Sequence, residues 1–208
     1  SSESQSKGIR TVSHHQPEPV RRSIEVEYWV VDADGQLVEP DPLVSASAGV
    51  EREFVKPLLE IKTTPCETTS QLRNELLDRL EAVLDAADDH GMRLVPLATP
   101  VHADEIADLP SDRTRIQREV IGEDFEYVRH CAGTHVHVEQ IPDRVVEQVN
   151  TLVALDPALA LVNAGRRYRG RVLSAGARSK LYRWMAYDGL PHQGRLWRYI
   201  DSTDEWRR

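Results

Sequence analysis

Cysteine is nearly absent: Cys66 and Cys131 are the only two in 208 residues. That excludes a disulfide-built scaffold, and the pair lacks the spacing of a zinc site. Lysine is scarce as well, confined to Lys7, Lys56, Lys62 and Lys180, while arginine is plentiful. Acids outnumber bases by 34 to 26, giving a formal charge of −8, so the chain lacks the basic excess that general nucleic-acid binding needs. No apolar run approaches the length of a membrane span, and the first residues lack a signal-peptide core. What remains is a cytoplasmic protein with reduced thiols and without nucleic-acid or membrane partners. Its 40% hydrophobic residues are enough for the core of one good-sized domain.

The order of elements points to an α+β fold. Residues 1–20 are polar, with Ser, His and Pro, and read as a loose arm, leaving 21–208 as the domain. "RRSIEVEYWVVD" alternates and is rich in β-branched and aromatic residues, so a strand is expected over Arg22–Asp32. "DADG" is a hairpin-type turn, with a return strand at Gln36–Val38. "PLLEIKT", Pro57–Thr63, reads as a second strand. Thr68 with Gln71 forms a capping box opening a helix whose stripe is Leu72, Leu76, Leu80, Val83, Leu84 and Ala87, with Gly91 as its C′ residue. A strand follows in "MRLVPLAT", then a helix over Asp112–His130 weakened by Gly122, then a strand over Gly133–Gln140. Asp143–Leu155 is expected as a helix, with Pro157 restarting another to about Asn163. The segment 164–180 looks like a loop. Hairpins beside long helices favour α+β over a doubly wound sheet.

Chemistry-bearing residues gather on the strands. Glu25 and Glu27 stand two apart, so both carboxylates share one face while Ile24, Val26 and Tyr28 share the other. Alone, this is the ordinary pattern of a half-solvated sheet. Glu60 differs, because it is a carboxylate inside an apolar strand, where an unpaired charge is costly. It needs either a cation such as Lys62 or an arginine, or a metal. His135 and His137 in "GTHVHVEQ" again share a face. A lone strand histidine is usually structural, but a pair two apart behind "AGT" suggests a ligand or phosphate site. If the strands lie side by side, Glu25, Glu27, Glu60, His135 and His137 line one groove. Carboxylates favour Mg²⁺, and a mixed carboxylate–imidazole set also suits Mn²⁺.

"SIEVEYWVVD", "PLLEIKTTPCETTSQLRNEL" and "GTHVHVEQ", in this order and at these distances, resemble the glutamate–cysteine ligase family of bacterial, plant and archaeal carboxylate–amine ligases. The resemblance implies a glutamine-synthetase-like fold, an antiparallel sheet with helices packed on one face and ATP with its metals on the concave side. It implies Glu25, Glu27, Glu60 and His135 as metal ligands and His137 as a nucleotide contact. "YRWMAYDGLPHQG" is similar to the family's R-x-M…P stretch, which would make Arg183 a catalytic residue near the substrate carboxylate or the phosphates. Asn163 falls where the family has a small polar turn. The implied cofactors are ATP and Mg²⁺ or Mn²⁺, and the substrates are amino acids, glutamate and cysteine first.

Ser23 stands where the family usually has Gly, and Val26 interrupts the acidic triplet often found there. The resemblance spans the N-terminal half of a typical member. The later strand that supplies a further acidic ligand and an arginine has no counterpart before Arg208. On that basis this stretch is expected to hold ATP–Mg²⁺ weakly and to turn over poorly. The rival readings are a zinc hydrolase built on the H-x-H strand and a non-catalytic nucleotide-binding member. The sequence leaves oligomeric state open, a homodimer being one option. "GRRYRGR", 165–171, reads as a solvated loop, or as an arginine clamp for phosphate or carboxylate.

Overall fold

The computed structural model describes residues 19–100, 102, 105–162 and 164–207. Most of the expected arm, with His14 and His15, therefore lies outside the described residues, as does Asn163.

The architecture is α+β around an antiparallel sheet. The elements run β1 (Arg22–Val31), β2 (Val50–Arg52), β3 (Leu58–Lys62), α1 (Thr69–Asp89), β4 (Arg93–Val95), α2 (Asp112–Ile121), α3 (Phe125–Arg129), β5 (Thr134–Val138) and α4 (Val145–Val162). The hairpin β6 (Arg167–Tyr168) and β7 (Arg171–Val172) follows, then the short helices α5 (Ala177–Lys180) and α6 (Thr203–Trp206). The sheet runs β2-β3-β1, and β5 and β4 share the far edge of β1. The β5 strand pairs with residues 22–26 and the β4 strand with residues 29–31. β1 is thus the central strand, and its registers decide what meets on each face.

Alternation along β1 divides the sheet. Tyr28 and Val30 join Leu59 and Ile61 of β3 in a core sealed by Val83 and Ala87 of α1. α1 starts where its capping box directs: Thr68 accepts from the Gln71 amide while the Gln71 side chain accepts from the Thr68 amide. Gly91, at φ 64°, turns the chain out of the helix. Leu84, expected in the stripe, is exposed, because it sits one position round the helix from the buried Val83 and off the face that Val83 and Ala87 share. On the opposite face Trp29 and Leu58 pack with Val55, Ile106 and Ala132 at one end of the sheet, and the polar residues of the same strands occupy the other end.

Several expectations need correction. The return strand at Gln36–Val38 is a single bridge, Val31 to Leu37. The helix expected over Asp112–His130 breaks at Gly122, whose φ of 77° and ψ of −146° lie outside the helical region. Residues 164–180 are not all loop, since Arg167–Val172 folds as a two-stranded hairpin. Pro157 does not restart a helix but lies inside a continuous α4. This 18-residue helix has a mean hydropathy of 1.4 and by length and composition is long and apolar enough to cross a membrane, which the shorter segments expected on either side of Pro157 are not. Its polar residues bond to the rest of the protein: Asn150 exchanges hydrogen bonds with the backbone of Ile200, and Asp156 pairs with Arg183.

Candidate metal and ligand site

The β1 registers bring the predicted residues to one place. Glu27 lies opposite Glu60 on β3, and Glu25 lies opposite His135 on β5 and Lys62 on β3. Strand parity turns these side chains away from α1. Ligand atoms of Glu25, Glu60 and His135 all lie within 4.8 Å of one another, and so do those of Glu27, Glu53 and Glu60. Glu60 is common to both groups. His135 Nδ1 is 3.3 Å from Glu25 Oε2 and 3.9 Å from Glu27 Oε1, while His137 Nε2 is 3.1 Å from Glu25 Oε2.

The electrostatics are those of crowded carboxylates. Glu27 and Glu60 are only 9% and 7% exposed, which is rare for acids unless a cation meets them. Burial, then the neighbouring Glu53, pushes Glu27 up to about 7, although the Gly133 amide donates to its Oε2 at 2.7 Å. Burial, Glu53 and Glu25 push Glu60 up to about 8. Burial also opposes ionisation of Glu25, but hydrogen bonds from His137 and His135 outweigh it and hold that carboxyl below its ordinary range. Lys62 reaches Glu60 only at 3.9 Å, and its closer partner is Glu51 at 2.6 Å.

Glu53 is the residue that sequence reasoning missed. Its signal is present in "VEREF", where Glu51 and Glu53 repeat the alternation of Glu25 and Glu27. Glu51 lies on β2, which has three residues and is too short to stand out by pattern, and Glu53 lies just past its last residue.

Arg183 stands apart from the carboxylates. It lies in a π-helical turn over Leu181–Met185 and pairs with Asp156 Oδ1 at 2.8 Å. It nonetheless shares with His135 the wall of a cavity of about 640 Å³, along with Arg178, Tyr182 and Trp197. The arginine run forms an exposed hairpin tip. Arg169 pairs with Glu126 and lies over the Tyr168 ring at 5.2 Å. Both cysteines are free and buried, and burial raises Cys66 and pushes Cys131 up to about 12, so neither thiol is activated.

Fold and site together define an α+β protein with a carboxylate–imidazole cluster on the open face of an antiparallel sheet. The model of glutamate–cysteine ligase family 2 matches residues 11–165, and the chain belongs to that family. A Corynebacterium glutamicum protein named "Putative glutamate--cysteine ligase 2" is 30% identical over 162 residues, covering 76% of this chain and 41% of that protein. A Saccharopolyspora erythraea protein named as a 2-2 form of the same ligase is 29% identical over 196 residues, covering 83% of this chain and 44% of its own length. The chain therefore spans less than half the length of these relatives. Among solved structures, glutamate–cysteine ligase from Francisella tularensis, crystallised with AMP, aligns with a TM-score of 0.47 at 18% identity, over 71% of this chain and 32% of that one. A bifunctional glutathione synthetase from Pasteurella multocida also gives 0.47, at 21% identity over 64% of this chain and 19% of that one.

Proposed function

We propose that residues 21–208 are the N-terminal portion of the catalytic domain of an ATP-dependent carboxylate–amine ligase. It would join glutamate to cysteine through an acyl phosphate formed at the γ-phosphate of ATP. The observation that carries this reading is the meeting of two triads that share Glu60, Glu25–Glu60–His135 and Glu27–Glu53–Glu60, drawn from β1, β3, β5 and the residue that follows β2.

The residues fit divalent cations. Buried carboxylates pushed up to about 7 and about 8 by burial and by one another are what a site built for a cation looks like without its charge. One imidazole among carboxylates suits Mg²⁺ or Mn²⁺ better than the nitrogen- and sulfur-rich sets of zinc sites, which favours the ligase over the hydrolase reading. Glu25, Glu60 and His135 would hold one ion, and Glu27, Glu53 and Glu60 a second. Bound there, the ions would neutralise phosphate charge and orient the γ-phosphate for transfer. Glu60 would bridge the two positions. His137, whose Nε2 meets Glu25, would turn its other ring nitrogen to the nucleotide. Arg183 would contribute to the cavity beside His135 by exchanging Asp156 for an anionic substrate group. No side-chain nucleophile is needed, in keeping with the inert thiols.

The test is a titration of the chain with Mn²⁺ followed by electron paramagnetic resonance, without and with ATP, alongside ADP release in the presence of glutamate, cysteine and Mg²⁺. Bound Mn²⁺ that is lost in Glu27→Ala and tightened by ATP supports the reading. Zn²⁺-dependent hydrolysis without ATP, or a wild-type chain that binds no Mn²⁺, rejects it.

A further inference from the structure

From the contacts of Arg178 we infer that it is a positioning residue for the carboxylate cluster, holding the Ala132–Gly133 turn that fixes Glu27. The inference rests on the metal reading for its consequence but on geometry for its substance.

Glu27 is tied to Gly133 twice. The Glu27 amide donates to the Gly133 carbonyl at 3.0 Å, and the Gly133 amide donates to Glu27 Oε2 at 2.7 Å. The second bond fixes where the carboxylate sits and which oxygen remains free for a ligand, so the turn acts on the cluster as an outer support acts on a metal ligand. Something must in turn hold the turn, which lies between the end of α3 and the start of β5. Arg178 does so from the far side: its Nε donates to the Ala132 carbonyl at 2.7 Å. Its guanidinium also lies 5.2 Å from the Tyr182 ring centroid, which restricts the side chain.

Gly133 shows how closely the guanidinium covers the turn. A Cβ there would lie 2.7 Å from Arg178 Nη2 and 3.2 Å from His135 Nε2. A Cβ at this position would thus press on the tips of the arginine and the imidazole and displace the guanidinium, while the φ of Gly133 is ordinary. Arg178 itself sits on firm ground. The neighbouring Ala177 and Leu181 are fully buried, and the Ala177 amide donates to the Gly165 carbonyl at 2.7 Å. Among the described residues no acid forms an ion pair with Arg178, so its charge serves the turn and the cluster beside it.

The experiment compares wild type, Arg178→Lys, Arg178→Met, Gly133→Ala and the Arg178→Met/Gly133→Ala double variant on the full 208-residue chain. Exchange of the Gly133 amide is followed by NMR and Mn²⁺ affinity by paramagnetic resonance. Arg178→Met should speed Gly133 exchange and weaken Mn²⁺ binding about tenfold, the low end for loss of an outer support. Arg178→Lys, which keeps one donor for the Ala132 carbonyl, should restore part of both. Arginine and turn act in series, so the double variant should be no worse than the worse single variant. A folded Arg178→Met protein with wild-type Gly133 exchange overturns the inference, whatever its metal affinity. Additive losses in the double variant overturn it as well. If Arg178→Met fails to fold, Arg178→Ala carries the same comparison, and wild-type Gly133 exchange in that variant refutes the inference. A wild-type chain that binds no Mn²⁺ while Gly133 exchange still follows Arg178 supports the hold on Glu27 and removes only the metals.

Discussion

At the scale of residues, the cluster sets stability against binding. Glu60 contributes repulsion to the folded state and a shared ligand to both proposed metal positions, so Glu60→Gln should move the two in opposite directions. Without metal at pH 8, the variant should melt roughly 2–4 °C higher, the equivalent of about 1 kcal/mol in a chain of this size. Its Mn²⁺ affinity should fall at least about tenfold. Differential scanning calorimetry and Mn²⁺ titration check the two halves separately. The pH dependence follows from the raised carboxyls. Glu27 and Glu60, pushed from 4.5 up to about 7 and about 8, keep protons in the folded chain that the unfolded chain has already released. Stability contributed by these groups therefore falls as pH rises from about 5 to about 8. Metal affinity should rise over the upper part of the same window, because binding must displace those protons. Melting curves across this range should show the decline in wild type and a shallower one in Glu60→Gln. A flat wild-type profile would mean that the cluster is ionised throughout.

At the scale of elements, α1 is the brace that lets the opposite face be polar. Its first turn depends on Thr68, whose side chain satisfies an amide that the helix cannot. Thr68→Ala should cost about 1 kcal/mol, read as a lower denaturation midpoint with an unchanged slope. It should leave Mn²⁺ affinity untouched, since the cap lies on the far side of the sheet from the cluster. The strands were legible because β1 and β3 are long enough for alternation to show. The capping box and Gly91 marked the ends of α1 for the same reason: their signals are local. β2 was missed because three residues carry no period, and Glu53 was missed with it. α4 was misjudged at Pro157, which lies exposed inside a continuous helix despite the usual cost of proline there.

At the scale of the whole molecule, apolar surface is distributed unevenly. The strands and α1 have a sealed core, whereas α4 leaves Leu159, Leu161 and Val162 at 52%, 71% and 87% exposure. Substitutions there should be nearly neutral for folding. Leu161→Gln with Val162→Gln should stay within about 0.5 kcal/mol of wild type while raising solubility, measured by chemical denaturation and by the concentration at which light scattering appears. A large loss of stability would mean that these side chains are covered in solution.

The sequence by itself determined which residues could meet. The parity of Glu25, Glu27, Glu60, His135 and His137 on their strands assigned each a face, because successive side chains on a strand point to opposite sides. It also determined the helix that covers the other face. It could not determine that Glu53 completes the cluster, that Lys62 turns to Glu51, or that Arg183 pairs with Asp156 while Arg178 reaches the turn beside Glu27. Those choices depend on which strands become neighbours and at what register, and on how short segments far apart in the chain pack together. A local pattern carries the direction of a side chain but not the identity of its partner. Only the assembled sheet, with α5 docked behind the 132–133 turn, supplies that partner.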